Sequence, residues 1–256
     1  MTLPCLILAG GVGSRMRPLT DAIPKALIEI GGRPFIDIQL RRLAAAGVSE
    51  VVLSIGYLGQ LLRTHVGDGS QFGVSARYVD EGDRRLGTGG AVRLAVDESA
   101  LGGAFFLLYG DSYLDVDFIA VERAWRSSKR PALMTVLRND NRWGASNVDY
   151  RRGQVALYDK QRPTPSMRWI DYGLLVLTSI AVRQRIAPGE ATDLADALHD
   201  LSRDGDLAGL PVTRRFYEVG SPRGVQDLEA HLLRTTGAKP VLNGGMPTPT
   251  TVGGME

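Results

Sequence analysis

The stretch Leu6-Ile7-Leu8-Ala9-Gly10-Gly11-Val12-Gly13-Ser14-Arg15 runs an apolar strand straight into a turn with three glycines in four positions. Without Cβ atoms in the way, such a turn brings backbone N–H groups against an anion, and the strand feeding it fixes where the anion sits. Ten residues beyond Arg15 stands Lys25, in Ile23-Pro24-Lys25. Arg15 offers a planar fork of donors and Lys25 a compact charge, a pair suited to neutralising a phosphoryl group under attack, so the expected anion is a polyphosphate. Two better-known glycine motifs do not fit. Counted from Gly11, G-x-G-x-x-G would need its third glycine at Met16, and no Gly-Lys-Ser/Thr triplet follows to make a P-loop. An ordinary strand-to-helix turn with a solvated Arg15 is the plain alternative.

Composition narrows the class. The chain has 256 residues, 44% hydrophobic and 23% charged, enough to bury a substantial core in one domain. Its net charge of +2, from 30 basic and 28 acidic residues, is spread along the length, so neither nucleic acid nor a membrane surface is an expected partner. The lone cysteine, Cys5, lies in the first apolar strand and excludes an internal disulfide. With no apolar run of spanning length, the expected location is the cytoplasm, where nucleotides are available. His65, His199 and His231 are too scattered for a metal site.

Strands at 3–9, 50–55, 74–79 and 104–109 alternate with helices at 34–46, 58–65 and 89–96, the pattern of a parallel sheet covered on both faces. In such sheets ligands bind beyond the carboxyl ends of the strands. The glycine loop, the segment Leu86-Gly87-Thr88-Gly89-Gly90 and Asp111 all fall there, so one cleft should hold them. From 130 the pattern turns β-rich, with strands at 131–137, 147–150, 154–158 and 169–177, which reads as a lid or substrate wall. Helices are expected at 118–125 and 192–201 and from Ser221-Pro222 to 233, and the Gly-, Pro- and Thr-rich stretch 237–256 reads as a disordered tail.

The strand Phe105-Phe106-Leu107-Leu108-Tyr109 ends in Gly110-Asp111, a carboxylate at the sheet edge with little bulk before it. That is a position for Mg²⁺, which takes few protein carboxylates and completes its shell with phosphate oxygens and water. Glu218, at a strand end just before a helix start, is the candidate second ligand. Asp115 and Asp117 are rivals better explained by capping the helix that follows. The glycine-rich helix start at 86–91 offers a flat surface against which a nucleobase could be read by main-chain groups.

Taken in order, these elements resemble the sugar-1-phosphate nucleotidyltransferases. The resemblance rests on Leu8 through Thr20, Pro24-Lys25, Gly32-Arg33-Pro34-Phe35, the 86–91 segment, Gly110-Asp111, Asp159-Lys160 and Val219-Gly220-Ser221-Pro222. It implies a Rossmann-like, GT-A-like α/β fold: a mixed, mostly parallel sheet flanked by helices, with a small β-rich sugar-binding lobe. Residues 1–236 would form one nucleotidyltransferase domain, its nucleotide-binding half about 1–130 and its sugar-binding half about 131–236. The implied reaction moves a nucleotidyl group from an NTP to a sugar 1-phosphate, with release of pyrophosphate and a requirement for Mg²⁺. By motif position, Arg15, Lys25 and Asp111 are catalytic, and Asp111 and Glu218 bind the metal. Leu8, Ala9, Gly10, Gly11, Gly13, Ser14 and Arg15, with Gly87, Thr88, Gly89 and Gly90, contact the nucleotide; Asn147, Asp159, Lys160, Asp171 and Gly173 face the sugar phosphate.

Departures from the family pattern are Glu218 for an aspartate, Asp159 for a glutamate before Lys160, and Ile170-Asp171-Tyr172-Gly173 for an asparagine-containing segment. The length and the 86–91 segment are most similar to guanylyltransferases of heptose or mannose 1-phosphate and to muramate-phosphate uridylyltransferases, and guanine is favoured over uracil. A monomer or small homo-oligomer is expected. Two competing readings are a metal-dependent glycosyltransferase using Asp115-Val116-Asp117 and a non-catalytic regulatory subunit of the same fold.

Overall fold

The computed structural model describes residues 2–98 and 101–236; the tail expected at 237–256 lies outside the described residues. In chain order the elements are β1 (Cys5–Leu8), β2 (Glu29–Ile30), β3 (Arg33–Pro34), α1 (Phe35–Ala45), β4 (Glu50–Ile55), α2 (Gly59–Val66), β5 (Ser75–Asp80), α3 (Gly87–Asp97), β6 (Ala104–Tyr109), β7 (Ser112–Tyr113) and α4 (Phe118–Ser128). Then follow β8 (Ala132–Arg138), β9 (Val148–Arg151), β10 (Gln154–Tyr158), β11 (Trp169–Thr178), α5 (Ser179–Arg185), α6 (Leu194–Arg203), β12 (Leu207–Val212), β13 (Tyr217–Glu218) and α7 (Pro222–Thr236).

Nine strands form one sheet in the order β5-β4-β1-β6-β11-β8-β12-β10-β9. From β5 to β6 all neighbours are parallel. β11 then lies antiparallel between β6 and β8, β12 runs parallel to β8, and β10 and β9 close the far edge antiparallel. The strands of the second half therefore extend the same sheet from β6 outward. The continuous apolar runs of β1, β4 and β6 are those of strands buried on both faces: Leu6, Ile7, Val52, Leu53, Phe106 and Leu107 are fully buried. One core packs α3, α5 and α6 on the first face, a second packs α1, α2 and α4 on the other, and a smaller cluster including Phe35, Tyr113, Val219 and Leu228 seats α7. Cys5 is inside the second core, where burial pushes its thiol pKa up and leaves it a small hydrophobe.

Two features carry side chains toward the carboxyl edge of β1 and β6. The pairing of β11 with β8 shifts register between Asp171 and Leu175, around Gly173 at φ 102°. The short ladder β7–β13 sets Glu218 opposite Ser112, next to Asp111.

Candidate active site

The glycine loop is fastened to its neighbours by main-chain bonds. Ala9 N–H donates to the Ser54 carbonyl of β4 (2.8 Å), Tyr57 N–H to Gly10 O (3.3 Å), and Gly110 N–H to Leu8 O (3.0 Å). A Cβ at position 110 would lie 2.3 Å from that Leu8 oxygen, so only glycine permits the approach that holds Asp111 against the loop. Gly13, at φ 62°, turns the chain into the 3-10 turn Ser14–Met16, and the Thr20 hydroxyl donates to its carbonyl at 3.0 Å.

The charged groups converge here. Lys25 Nζ sits 2.5 Å from Asp111 Oδ2, with both side chains mostly buried. A Cβ on Gly220 would lie 3.2 Å from Arg15 Nη2 and 3.4 Å from Lys25 Nζ, which places both cations over the 218–221 turn. Val219 N–H donates to the Asp111 carbonyl (2.9 Å), so this turn and the end of β6 are tied together. Glu218 stays open to solvent on one side but is crowded by protein on the others. Desolvation, then the Asp111 charge, raise its pKa, against Arg15, Lys25 and Lys160. Arg15, Lys25, Asp111 and Glu218, far apart in sequence, thus form one electrostatic cluster.

A cavity of about 520 Å³ opens from this cluster along the sheet edge. Leu8, Ala9, Gly10, Gly11, Gly13, Lys25, Gly87, Thr88 and Asp111 line it; Ser14 and Arg15 stand outside the lining, Arg15 toward Gly220. Gly89 and Gly90 do not reach it either, contrary to the expectation of nucleotide contacts. Both of their N–H groups point to Thr192 O, at 2.8 and 3.4 Å, and a Cβ at 90 would lie 2.6 Å from Glu190 O. Their lack of side chains lets the 190–194 segment pack against α3. The Thr88 hydroxyl is likewise committed, donating to Asp193 and accepting from Leu194 N–H, each at 2.9 Å. Sequence reasoning missed Ser54, Tyr57, Glu81, Arg84, Arg85 and Tyr109, all lining the cavity. The signal that could have found Ser54, Glu81 and Tyr109 is their place at the carboxyl ends of β4, β5 and β6.

On the sugar-facing side the expected residues divide. The Asp171 carboxyl is enclosed; burial lifts its pKa from the ordinary 3.8 to about 6, against the Gly173 N–H, the Tyr109 hydroxyl and Lys160. Gly173 N–H donates to its Oδ1 at 2.9 Å and Tyr109 O–H reaches Oδ2 at 3.4 Å. Asn147 acts one step back, its Oδ1 accepting from Asp171 N–H at 3.0 Å. Asp159 closes its own turn, Oδ1 accepting from Gln161 and Arg162 N–H. Lys160, 3.7 Å from Asp193 and largely exposed, still acts on both Asp171 and Glu218.

The rival aspartates are occupied elsewhere. Asp115 pairs with Arg42 (3.2 Å) and Arg214, and Asp117 caps α4 by accepting from Ala120 N–H at 3.0 Å. No group of three or more His, Cys, Asp or Glu side chains suited to holding a metal occurs among the described residues. The pair Asp111 and Glu218 is instead a two-carboxylate set of hard oxygens, the kind Mg²⁺ accepts when phosphate and water complete the shell. Their mutual repulsion, visible in the raised Glu218 pKa, is what a divalent cation would relieve.

The chain is similar to proteins of one group. Over 244 residues it is 28% identical to the mannose-1-phosphate guanylyltransferase of Mycobacterium tuberculosis, covering 93% of this chain and 67% of that one. Over 119 residues it is 42% identical to the N-acetylmuramate alpha-1-phosphate uridylyltransferase of Neisseria meningitidis serogroup B, covering 46% of this chain and 51% of the relative, about half its length. The crystal structure of HddC from Yersinia pseudotuberculosis complexed with GMP-PN superposes with a TM-score of 0.74 at 21% identity, covering 90% of this chain and 99% of that one, and shows the shared fold. The model of the nucleotidyl transferase family matches residues 5–216. Because that match runs from the first residue of β1 to the segment entering β13, and so takes in the glycine loop, Lys25 and Asp111 in one alignment, the chain belongs to the nucleotidyl transferase family.

Proposed function

We propose that the protein transfers a nucleotidyl group from a nucleoside triphosphate to a sugar 1-phosphate, giving a nucleotide sugar and pyrophosphate. The observation that carries this reading is the convergence of Arg15 and Lys25 on the Asp111–Glu218 pair at the mouth of the cavity. The phosphate oxygen of the sugar 1-phosphate is already anionic near neutral pH, so attack on the α-phosphorus needs no general base. In keeping with this, none of the three histidines lines the cavity: His65 pairs with Asp37, His199 meets Tyr158 O, and His231 stacks on Tyr217.

Arg15 and Lys25 stabilise the charge on the departing pyrophosphate, and the backbone of the glycine loop orients the triphosphate in line with the attacking oxygen. Mg²⁺ held by Asp111 and Glu218 would supply Lewis-acid neutralisation of the phosphates. Asp171 and Lys160 orient the sugar phosphate, with Asn147 and Gly173 holding Asp171 in place. Guanylyl transfer to mannose or heptose 1-phosphate is the favoured specificity, supported by the named activity of the mycobacterial relative that covers most of this chain. The 42% identity to a muramate-phosphate uridylyltransferase favours uridylyl transfer as the second reading. Among the described residues no helix is long and apolar enough to cross a membrane, and a cytoplasmic location is proposed on the supply of triphosphates.

The test is pyrophosphate release from each common NTP against several hexose, heptose and muramate 1-phosphates, with Mg²⁺ present or chelated. Pyrophosphate formed only when both substrates are present supports the reading. Release of a nucleoside diphosphate from a nucleotide sugar would instead establish a glycosyltransferase. Lys25→Met should lower turnover by about 10²–10³-fold while leaving the protein folded; unchanged turnover would overturn the assignment of the cluster.

A further inference from the structure

Along the carboxyl edge of the sheet the strands run β5, β4, β1, β6. Asp111 stands just past β6 and Glu81 directly after β5, both on the wall of one cavity. Three strand spacings of about 4.8 Å put roughly 14 Å between them. A nucleoside with its α-phosphate spans that distance, so with the phosphates at Arg15, Lys25 and Asp111 the base lies over the ends of β4 and β5.

Glu81 is built into that end. Its N–H continues the ladder onto Ile55 O (2.9 Å), and a Cβ on Gly10 would lie 2.7 Å from its Oε1. The Ser54 hydroxyl reaches the same oxygen at a long 3.4 Å, and Leu86 N–H also supports the carboxylate. Arg84 lends positive potential, but no ion pair forms on Glu81 among the described residues, and burial raises its pKa. Two supporting donors leave lone pairs free on a carboxylate that can accept about four hydrogen bonds.

An unpaired carboxylate at the base end discriminates by chemistry. Uracil and thymine offer one N–H between two carbonyls that it repels. Adenine and cytosine offer an amine beside an acceptor nitrogen. Guanine alone presents two adjacent donors, N1–H and the N2 amine, on one edge, matching two carboxylate oxygens. We propose that Glu81 selects guanine by accepting from N1–H and the N2 amine, an inference that rests on the nucleotidyl-transfer reading above.

Calorimetric titration of the full chain with GDP, UDP, dTDP and ADP in the presence of Mg²⁺ tests it, comparing wild type with Glu81→Gln and Glu81→Ala. The wild type should bind GDP about tenfold or more tighter than UDP. Glu81→Gln, whose amide carries one donor and one acceptor, should weaken GDP by about 10–100-fold and narrow the GDP-to-UDP ratio. That ratio does not depend on how much of a variant is folded. A wild type that prefers UDP or dTDP, or a ratio unmoved by both substitutions, overturns the role of Glu81 while leaving nucleotidyl transfer standing. Failure to bind any of the four nucleotides overturns the broader reading and this one with it.

Discussion

Gly110→Ala isolates the geometry on which the site depends. The added Cβ would stand 2.3 Å from Leu8 O, whereas ordinary contact begins near 3.4 Å. The ends of β1 and β6 must therefore part by about 1 Å, at a point where Leu6, Ile7, Phe106 and Leu107 are fully buried and close-packed. Overpacking of this kind costs about 1–3 kcal/mol. Stretching the Gly110 N–H bond to Leu8 O adds about 1 kcal/mol. The adjacent carboxylate of Asp111 shifts by a similar distance away from Lys25, and a displacement of about 1 Å at reacting groups costs on the order of 100-fold in rate. Urea unfolding followed by circular dichroism measures the first effect, and pyrophosphate release by the folded variant the second. A variant that keeps wild-type stability would show that β1 and β6 do not approach as closely as described; one that loses stability yet keeps full turnover would show that Asp111 need not be held there.

Asp115→Asn removes the charge shared by Arg42 and Arg214, and since the group is about one-third exposed the loss is about 1 kcal/mol or less. Turnover should be unaffected, and a large loss measured by pyrophosphate release would return this aspartate to the chemistry. Glu218→Gln should raise the Mg²⁺ concentration for half-maximal turnover by about tenfold or more, and weaken binding of Mn²⁺ followed by its spin-resonance signal. Asp171 gives a pH signature with a defined sign. Its folded pKa of about 6 lies above the ordinary 3.8, so the folded state holds the proton more tightly and stability falls as pH rises from about 4 to about 6. Asp171→Asn should abolish that slope, and above pH 6 exceed the wild type by about 1–3 kcal/mol, the lower value applying if water reaches the carboxyl. Equal denaturation midpoints for the two proteins at pH 7 would refute the enclosure of this group.

How much was legible in the sequence varies with the range of the interactions involved. The strands Glu50–Ile55, Ala104–Tyr109 and Gln154–Tyr158 match their expected bounds because local apolar pattern and turn residues decide them. The helix α5 and strand β12 went unread. α5 is short and depends on the Thr178 side chain accepting from Ala181 N–H, and β12 contains Gly209 and Pro211, which weaken the pattern. Gly209 is required by a side chain distant in sequence: a Cβ there would lie 2.7 Å from the Tyr150 ring. The same blindness to long range affected Gly89 and Gly90. A glycine that makes room for a ligand and one that makes room for a segment a hundred residues away look alike in sequence, and the Thr192 carbonyl decides between them. Arg15, Lys25 and Asp111 were legible because the strand-end rule places them on one edge whatever the details of packing.

Proton affinities draw the site boundary independently of any motif. Among the carboxyl groups whose pKa clearly departs from normal, Asp68, Asp115, Asp140 and Asp193 are lowered. Each of these is satisfied by the protein's own donors: Ser70 for Asp68, arginines for Asp115 and Asp140, Ala195 N–H and Thr88 for Asp193. Glu81, Asp171 and Glu218 are raised, burial being the largest cause in each. A folded chain tolerates an under-compensated carboxylate only at a cost, and the three lie along one path, from the end of β5 to the β11 bulge and the turn before α7. Each lacks a different partner. Glu218 beside Asp111 calls for a divalent cation, Glu81 at the base end for paired N–H donors, and Asp171 beside Lys160 for hydroxyl donors of a sugar phosphate. Metal, base and sugar are the three things a nucleotidyl transfer must hold at once, and the unsatisfied charge is distributed to receive them in that spatial order.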